Sequence, residues 1–240
     1  MIRHRNSLVV YNTIDEALAD EQQLLEDIVA GTDESACFIW SANQCLVVPY
    51  KLTHNKYFEE AVKASESLGW PVYVRQTGGG ITPQGPGILN ISLGLANTTG
   101  RPFSIAESYG IICDPIIDEL ASQDIKGYCS SVPGAFCDGD YNVVVDGRKL
   151  VGTAQRRSRV KGQNGQQALF AHALLIYEAN IKEITKAVNQ LNSLLKLEQR
   201  VDSDAHCNFE TLDLKVNQNS TAEKLTRNLI KRYRKIKNFS

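Results

Sequence analysis

The feature that most constrains the fold of this chain is a pair of alternating segments that meet at Asp146-Gly147. "YNVVVDG" leads into this dipeptide and "RKLVGTAQRR" leaves it. Asp-Gly between two such segments is typical of a type I′ hairpin, because both central positions need a positive φ. A more apolar segment, "ALFAHALLIY", predicts a strand at the centre of a sheet,.

Helical patterns surround these strands. Thr13 to Glu16 and Ser104 to Glu107 have the spacing of capping boxes, and they predict helices over 17–30 and up to about Ala121,. Pro115 should kink or split the second helix,. Further helices are predicted over 55–68, 181–195 and 221–237, and further strands in "ACFIWSA", "CLVVPY", "PVYVRQ" and "GILNISLGLA", with a turn at "NQ" between the first two.

Strands in hairpins with helices around them predict an α+β fold, with a mixed, largely antiparallel central sheet flanked by helices. We expect a single domain over residues 1–240, in which about 198–240 form a helical C-terminal extension. A net charge of −1 argues against a nucleic-acid binder, and no apolar run is long enough to span a membrane,. The six cysteines form no CxxC pair, which predicts reduced thiols in the cytoplasm and no metal site,.

The stretch "RQTGGGITPQGPGILN" is the strongest local signal. Glycines 78–80 would let backbone N–H groups approach an anion or a carbonyl, and Arg75 could add a charge-assisted hydrogen bond,. The stretch lacks the GK[ST] ending of a Walker A loop, and a strand follows it, so it is not a Rossmann fingerprint either. A plain glycine-rich hairpin loop remains the alternative.

Lys149 begins a run of small and apolar residues. Strand alternation would place Lys149, Val151 and Thr153 on one face and Leu150 and Gly152 on the other,. The ammonium could then enter a cleft and stabilise a carboxylate, a phosphate or an oxyanion. The alternative is a solvated lysine on a hairpin strand.

Cys137 lies in "PGAFCDGDY", a turn-forming segment rather than an apolar run. It is therefore either a nucleophile or an incidental loop residue.

The order of these motifs resembles the lipoate/biotin protein ligase superfamily. Arg75-x-Thr77-Gly-Gly-Gly80, followed by Asn90, resembles its R-x-[ST]-G-G-G loop. "KLVGTAQ", from Lys149, resembles its K-x-x-G-[ST]-A strand. "LFAHALLIY" resembles its H-G-[ST]-L-L strand, with alanine in place of the glycine, and the resemblance covers roughly residues 10–195.

The resemblance implies a mixed α/β domain that attaches lipoyl, octanoyl or biotinyl groups to one lysine of a small carrier domain. The implied partners are the glycine-cleavage H protein and 2-oxoacid dehydrogenase E2 subunits. The residues implied to bind the acyl group are Arg75, Thr77, Gly78, Gly79, Gly80, Asn90, Gly152, Thr153, Ala154 and His172. Gln84-Gly85 stand where ligases and some transferases of the family have a His-Asp pair, so any role of that histidine is lost or moved.

Within the family, "GAFCDGDY" resembles the G-[SA]-[FY]-C-x-G-x-[YF] segment of the cysteine octanoyl-[H protein]:protein amidotransferases. That branch implies Cys137 as a thioester-forming nucleophile and Lys149 as a stabiliser of the oxyanion, with no cofactor. The alternatives are an ATP- and Mg²⁺-dependent lipoate-protein ligase that forms lipoyl-AMP, with Cys137 incidental, and a non-catalytic acyl- or carrier-binding homologue.

Two further roles stay open. His172 could assist Cys137 or could be a satisfied core histidine. In the segment "TAEKLTRNLIKRYRKIKNF", Leu225, Leu229 and Tyr233 share one helical face, and basic residues that include Arg232 cover the rest,. This basic surface is either simply solvated or a docking site for an acidic carrier domain.

Overall fold

The structure is a computed structural model, and it describes residues 7–76, 78–97, 101–161, 166–212 and 222–236. The strands in chain order are β1 Val9–Tyr11, β2 Ser35–Ala42, β3 Cys45–Pro49, β4 Val72–Arg75, β5 Thr82–Gln84, β6 Ile88–Asn97, β7 Tyr128–Ser130, β8 Asn142–Val145, β9 Arg148–Arg159 and β10 Gln167–Ile176. The helices are α1 Ile14–Ala30, α2 Phe58–Ser67, α3 Ile105–Ala121, α4 Ile181–Leu194 and α5 Ala222–Ile236, with short 3₁₀ turns at Tyr50–His54 and Ser203–Ala205.

Seven strands form the main sheet, in the order β1-β2-β6-β10-β9-β8-β7. β1 and β2 pair in parallel, and the remaining described pairings in this sheet are antiparallel. β10 has three strands on either side, which confirms that the "ALFAHALLIY" segment lies at the centre of a sheet. The mixed, largely antiparallel α+β architecture expected from the sequence is confirmed.

The Asp146-Gly147 hairpin is also confirmed. Asp146 has φ 50° and Gly147 has φ 74°, and the hairpin joins β8 to β9. By contrast, β2 and β3 do not pair with each other across "NQ". β3 belongs to a second sheet of three strands, in the order β4-β3-β5, where it runs parallel to β4 and antiparallel to β5.

The two predicted capping boxes differ. At the start of α3, the Ser104 side chain accepts from the Glu107 N–H and the Glu107 side chain accepts from the Ser104 N–H, as expected. Thr13 precedes α1 but makes no side-chain capping bond. Pro115 lies inside α3, which continues from Ile105 to Ala121, so the helix is not split.

The main sheet is covered on both faces. Ile112 of α3 and Leu229 of α5 pack in one core cluster with Ala171 and Leu175 of β10. The neighbouring β10 residues Phe170 and Leu174 point the other way, because side chains alternate along a strand. Phe170 packs in a cluster with Leu24 and Ile28 of α1, whereas Leu174 packs in one with Leu46 and Val48 of the small sheet.

α5 belongs to this packing. Tyr233 is 3% exposed, and its hydroxyl donates to the carbonyl of Ile112 at 2.8 Å. Arg232, one of the basic residues considered for docking, donates from Nε to Glu119 at 3.0 Å. Among the described helices, none combines the length and the apolar character that crossing a bilayer requires.

Candidate active site

Cys137 lies at a sharp turn between β7 and β8. Its φ is 47°, in the left-handed region that costs a non-glycine residue roughly 1–2 kcal/mol,. Such a conformation persists only where the surrounding structure imposes it, and it is typical of functional sites. Asp138 fixes the turn on the C-terminal side, because its Oδ1 accepts from the Val132 N–H at 2.8 Å and from Asn142 Nδ2 at 2.9 Å.

The glycine loop lies directly against Cys137. The Gly80 N–H donates to Cys137 Sγ at 3.3 Å. A Cβ on Gly79 would lie 2.7 Å from that Sγ, and one on Gly80 would lie 3.4 Å from the Cys137 Cα. Gly79 also has φ 106°. The loop therefore packs against the nucleophile candidate at a distance that only glycine permits at position 79, and it is not a plain hairpin loop.

Arg75 organises this loop. Its guanidinium donates to the carbonyls of Gly80 at 2.7 Å, Gly78 at 3.0 Å and Val47 at 3.1 Å. It also donates to Thr82 Oγ1 at 3.1 Å. Burial lowers the pKa of Arg75, and the nearby Cys137 and Glu21 oppose that shift. Because these donors are directed to the protein itself, Arg75 holds the loop in shape, and it also lies in the wall of the adjoining cavity.

Lys149 reaches the same turn from β9. It is completely buried, and Nζ donates to the carbonyl of Phe136 at 2.6 Å and to that of Cys137 at 3.1 Å. Burial lowers its pKa to about 8, although Cys137 and Asp138 oppose the shift. Lys149 is therefore a partly desolvated cation in contact with the backbone of the nucleophile candidate, and not a solvated lysine.

An extra residue in β9 turns Lys149 toward the site. Val144 pairs with Lys149 and Val143 pairs with Val151, so Leu150 is a bulged residue,. Leu150 and Val151 both enter the core, whereas Lys149 comes to lie beside Gly152, where a Cβ would be 3.0 Å from Lys149 Cε. The prediction from regular alternation, which placed Lys149 with Val151 and opposite Gly152, is therefore wrong.

A cavity of about 280 Å³ opens between α1, the small sheet and β10. Cys137, Lys149 and Gly78 lie in its wall. Most of the lining is apolar, from Ile14, Leu18, Leu25, Trp40, Val47, Val74, Phe136, Phe170 and Leu174. This volume is close to the lower end of ligand pockets, about 300–1,000 Å³.

His172 lies in the cavity wall, where its ring contacts the carboxylate of Glu21. Its Nδ1 contacts Glu21 Oε1 at 2.6 Å, and the same oxygen accepts from Ser92 Oγ at 2.6 Å. Trp40 Nε1 donates to Ser92 Oγ at 2.9 Å. Among the described contacts none joins His172 to Cys137, so His172 is part of the wall.

The other residues implied by the motifs divide into two groups. Gly152, Thr153 and Ala154 line the cavity. Asn90 does not; it is fully buried and exchanges two amide hydrogen bonds with Gln84, at 2.9 and 2.7 Å. Gln84 lines the cavity, so Asn90 supports a wall residue. Thr77 lies outside the described residues.

His206 was not predicted from the sequence. Its Nε2 accepts from the Phe136 N–H at 3.2 Å, and its ring stacks on Phe136 with centroids 4.5 Å apart. It lies 70 residues from Phe136 in an irregular segment, beyond the region covered by the motifs. Its local sequence carries no signal of this contact. Glu21 and Trp40 were missed for a similar reason, since each looks like an ordinary residue of an amphipathic helix or an apolar strand.

Across the part of the chain that the structure describes, no group of three or more His, Cys, Asp or Glu side chains is placed to hold a metal ion.

Comparison with protein families gives one match that covers most of the chain. A family described as the lipoyl protein ligase A/B catalytic domain matches residues 13–233. An uncharacterized protein of Cupriavidus necator is 36% identical over 200 residues, which cover 79% of this chain and 75% of that protein.

Two similar proteins have named activities. An octanoyl-[GcvH]:protein N-octanoyltransferase of Kyrpidia tusciae is 31% identical over 166 residues, which cover 68% of this chain and 57% of that protein. A protein of the same name from Anoxybacillus flavithermus is 26% identical over 144 residues, which cover 60% of this chain and 51% of that protein. The matched region thus spans little more than half the length of these two transferases.

Solved structures share the fold. A lipoate-protein ligase A bound with ATP matches with a TM-score of 0.69 at 15% identity, over 96% of this chain and 83% of that one. A structure from Thermoplasma acidophilum, described as a bi-partite lipoate protein ligase and its E2 lipoyl domain, matches with a TM-score of 0.64 at 16% identity, over 97% of this chain and 82% of that one. At these identities the likeness concerns the fold alone.

Proposed function

Because this chain belongs to the lipoyl protein ligase A/B catalytic-domain family, we propose that it transfers an octanoyl or lipoyl group to a specific lysine of a lipoyl carrier domain through a thioester on Cys137. The family and its octanoyltransferase branch, expected from the motifs, are both confirmed. The thioester is supported by one observation above all. Cys137 Sγ receives the Gly80 N–H, and the Lys149 ammonium is bonded to the carbonyl of the same cysteine, in the wall of an apolar cavity.

In the first step the Cys137 thiolate attacks the carbonyl carbon of the acyl group on a donor lysine. A C–S bond forms, the amide C–N bond breaks, and the donor lysine leaves as an amine that takes up the proton the thiol has lost. An ammonium has three N–H donors, and Phe136 and Cys137 occupy two of those of Lys149,. The third can stabilise the oxyanion of the tetrahedral intermediate.

In the second step the amine of the acceptor lysine attacks the thioester. A C–N bond forms, the C–S bond breaks, and the cysteine thiol is regenerated with the proton that the amine releases. One amide is exchanged for another, so the overall transfer requires neither ATP nor Mg²⁺.

The apolar cavity is the proposed acyl site. Each methylene that enters it contributes about 0.8 kcal/mol of transfer free energy, and the volume of about 280 Å³ limits the length of the chain that fits. In this proposal Gly78, Gly152, Thr153, Ala154 and His172 line the acyl chain or its carbonyl end. Gly79, Gly80 and Arg75 hold the loop against Cys137, Asn90 fixes Gln84 in the wall, and the motif also assigns Thr77 to the loop.

The proposed donor and acceptors are lipoyl carrier domains. Two similar transferases are named for GcvH, the glycine-cleavage H protein, and we propose that protein as the donor here. The proposed acceptors are E2 subunits of 2-oxoacid dehydrogenases. A bi-partite lipoate protein ligase of similar fold is described together with an E2 lipoyl domain.

The test incubates the purified chain with octanoylated H protein and an unmodified E2 lipoyl domain, without nucleotide. We expect the E2 domain to gain one octanoyl group by intact mass, and the Cys137→Ala variant to give none. Cys129→Ala is a matched control, because Cys129 is an exposed thiol on β7.

Two outcomes would overturn the proposal. Modification only with free lipoate or octanoate plus ATP and Mg²⁺ would identify a ligase. Absence of product under both conditions, with carrier binding retained, would identify a binding protein.

A further inference from the structure

The segment 202–207 contacts both Cys137's turn and Lys149's strand. The Asp202 N–H donates to the Gly134 carbonyl at 2.8 Å, three residues before Cys137. The Cys207 N–H donates to the carbonyl of Lys149 at 3.0 Å. His206 lies between these two contacts and is 2% exposed. One short segment, far along the chain, thus bridges the two elements that carry the reacting groups.

The hydrogen bonds of His206 define its tautomer. Its Nδ1 lies 2.8 Å from the carbonyl oxygen of Asp202, which can only accept, so Nδ1 carries the proton,. Nε2 is then an acceptor, and it receives the Phe136 N–H at 3.2 Å. Burial lowers the pKa of His206 to about 4, and Lys149 contributes to that shift, so the ring is neutral near pH 7.

The residue that His206 holds, Phe136, directly precedes the nucleophile. The Phe136 N–H is fixed by His206, and the Phe136 carbonyl is fixed by Lys149 Nζ at 2.6 Å. The Phe136 ring contacts both side chains: it stacks on the His206 ring, and its centroid lies 5.0 Å from Lys149 Nζ. The next residue is Cys137, in its left-handed conformation.

We propose that His206 is a positioning residue for this site. As a neutral acceptor it fixes the Phe136 N–H and so holds the Cys137 turn in place. In this turn Cys137 Sγ accepts from the Gly80 N–H, and the Phe136 and Cys137 carbonyls accept from Lys149 Nζ. His206 does not take the proton of Cys137, because its acceptor nitrogen is bonded to the Phe136 backbone. The expected effect of His206 on acyl transfer rests on the proposed function. The claim that His206 holds the Cys137 turn does not, because it concerns the protein without substrate.

The decisive variants are His206→Phe and His206→Gln. Phenylalanine keeps a ring that can stack on Phe136 but has no acceptor, whereas glutamine has an amide oxygen that can replace Nε2. We expect His206→Phe to lower kcat of transfer by about tenfold or more with little change in KM for the acyl donor, because a small displacement of the nucleophile is costly. We expect His206→Gln to recover most of that loss.

A second readout needs no acyl donor. The rate of iodoacetamide alkylation at each cysteine is followed by peptide mass spectrometry. His206→Phe should change the rate at Cys137 and leave the rate at the exposed Cys129 unaltered, with His206→Gln close to the original protein. Buried Cys37 and Cys113 report unfolding, because they become labelled only if the variant opens.

Equal Cys137 alkylation and equal transfer in His206→Phe and the original protein would overturn the inference. If that variant unfolds, ¹⁵N NMR of the unmodified protein decides, because the inference requires protonated Nδ1 and unprotonated Nε2 at His206. The opposite tautomer would overturn it. If the original protein transfers no acyl group but His206→Phe still alters the reactivity of Cys137, the positioning role is supported and the proposed function is rejected. The two failures are therefore distinguishable.

Discussion

At Lys149 a buried charge makes the site sensitive to pH. Burial lowers the Lys149 pKa from 10.5 to about 8, so the folded protein releases this proton more readily than the unfolded chain does. Between about pH 8 and 10.5 the unfolded chain binds more protons at this position. The contribution of Lys149 to the free energy of unfolding therefore rises with pH in that window, and burial of its charge is destabilising below it.

The same shift predicts a basic limb in the activity profile. If the ammonium stabilises the oxyanion, kcat/KM for transfer should fall as the pH rises through about 8, the pKa of Lys149,. Lys149→Met should lower kcat/KM by about 10²-fold or more, since removal of one oxyanion donor commonly costs that much. Lys63→Arg, at an exposed position of α2, is the control and should leave the profile unchanged. A kcat/KM that does not fall above pH 8 would contradict this role of the ammonium.

At the scale of elements, the glycine loop and β9 show what the sequence could and could not predict. The hairpin at Asp146-Gly147 and the central β10 follow from local turn chemistry and apolar runs. The bulge at Leu150 does not, because it depends on which β8 residue pairs with which β9 residue. Regular alternation therefore put Lys149 on the wrong face. Both β2 and β3 were correctly located from the sequence. Their separation into two sheets was not predicted, because it likewise depends on distant pairing partners.

The glycine motif allows a matched prediction within one loop. A Cβ on Gly79 would lie 2.7 Å from Cys137 Sγ and 3.0 Å from Arg75 Nη2, and its φ of 106° disfavours any side chain. A Cβ on Gly78 would meet nothing within 4 Å. Gly79→Ala should therefore lower kcat/KM by about 10²-fold, whereas Gly78→Ala should stay within a few-fold. Steady-state transfer kinetics check this, and similar losses in both variants would contradict the close contact of the loop with Cys137.

At the scale of the whole molecule, the site combines residues from elements that are far apart in the chain. α1 and the small sheet supply the cavity walls, β9 supplies Lys149, and the segment 202–207 holds the Cys137 turn. Motifs identified the glycine loop, Lys149 and Cys137 because each has a local signature. Sequence could not reveal His206, because its contact with Phe136 joins residues that only the fold brings together. We propose that residues 1–240 form one domain, with α5 as an integral part of its core.

This role of α5 gives a stability prediction. Glu119 is 4% exposed, and it accepts from Asn228 Nδ2 at 2.9 Å and from Arg232 Nε at 3.0 Å. Arg232→Ala should lower the free energy of unfolding by about 1–3 kcal/mol, because a buried carboxylate loses a charged donor. Arg227→Ala, at an exposed position of the same helix, should change it by less than about 0.5 kcal/mol,. Denaturant unfolding measures both. If Arg232→Ala weakened carrier binding and left stability unchanged, Arg232 would be a docking residue.

The thioester on Cys137 is the central claim, and intact-mass spectrometry of the chain after brief exposure to octanoylated H protein, without acceptor or nucleotide, tests it most directly. We predict that the chain gains one octanoyl group, that hydroxylamine removes it, and that peptide mapping places it on Cys137. The adduct should disappear when an unmodified lipoyl domain is added, and Cys137→Ala should form none. Transfer to the lipoyl domain by a Cys137→Ala variant at an undiminished rate would contradict the account.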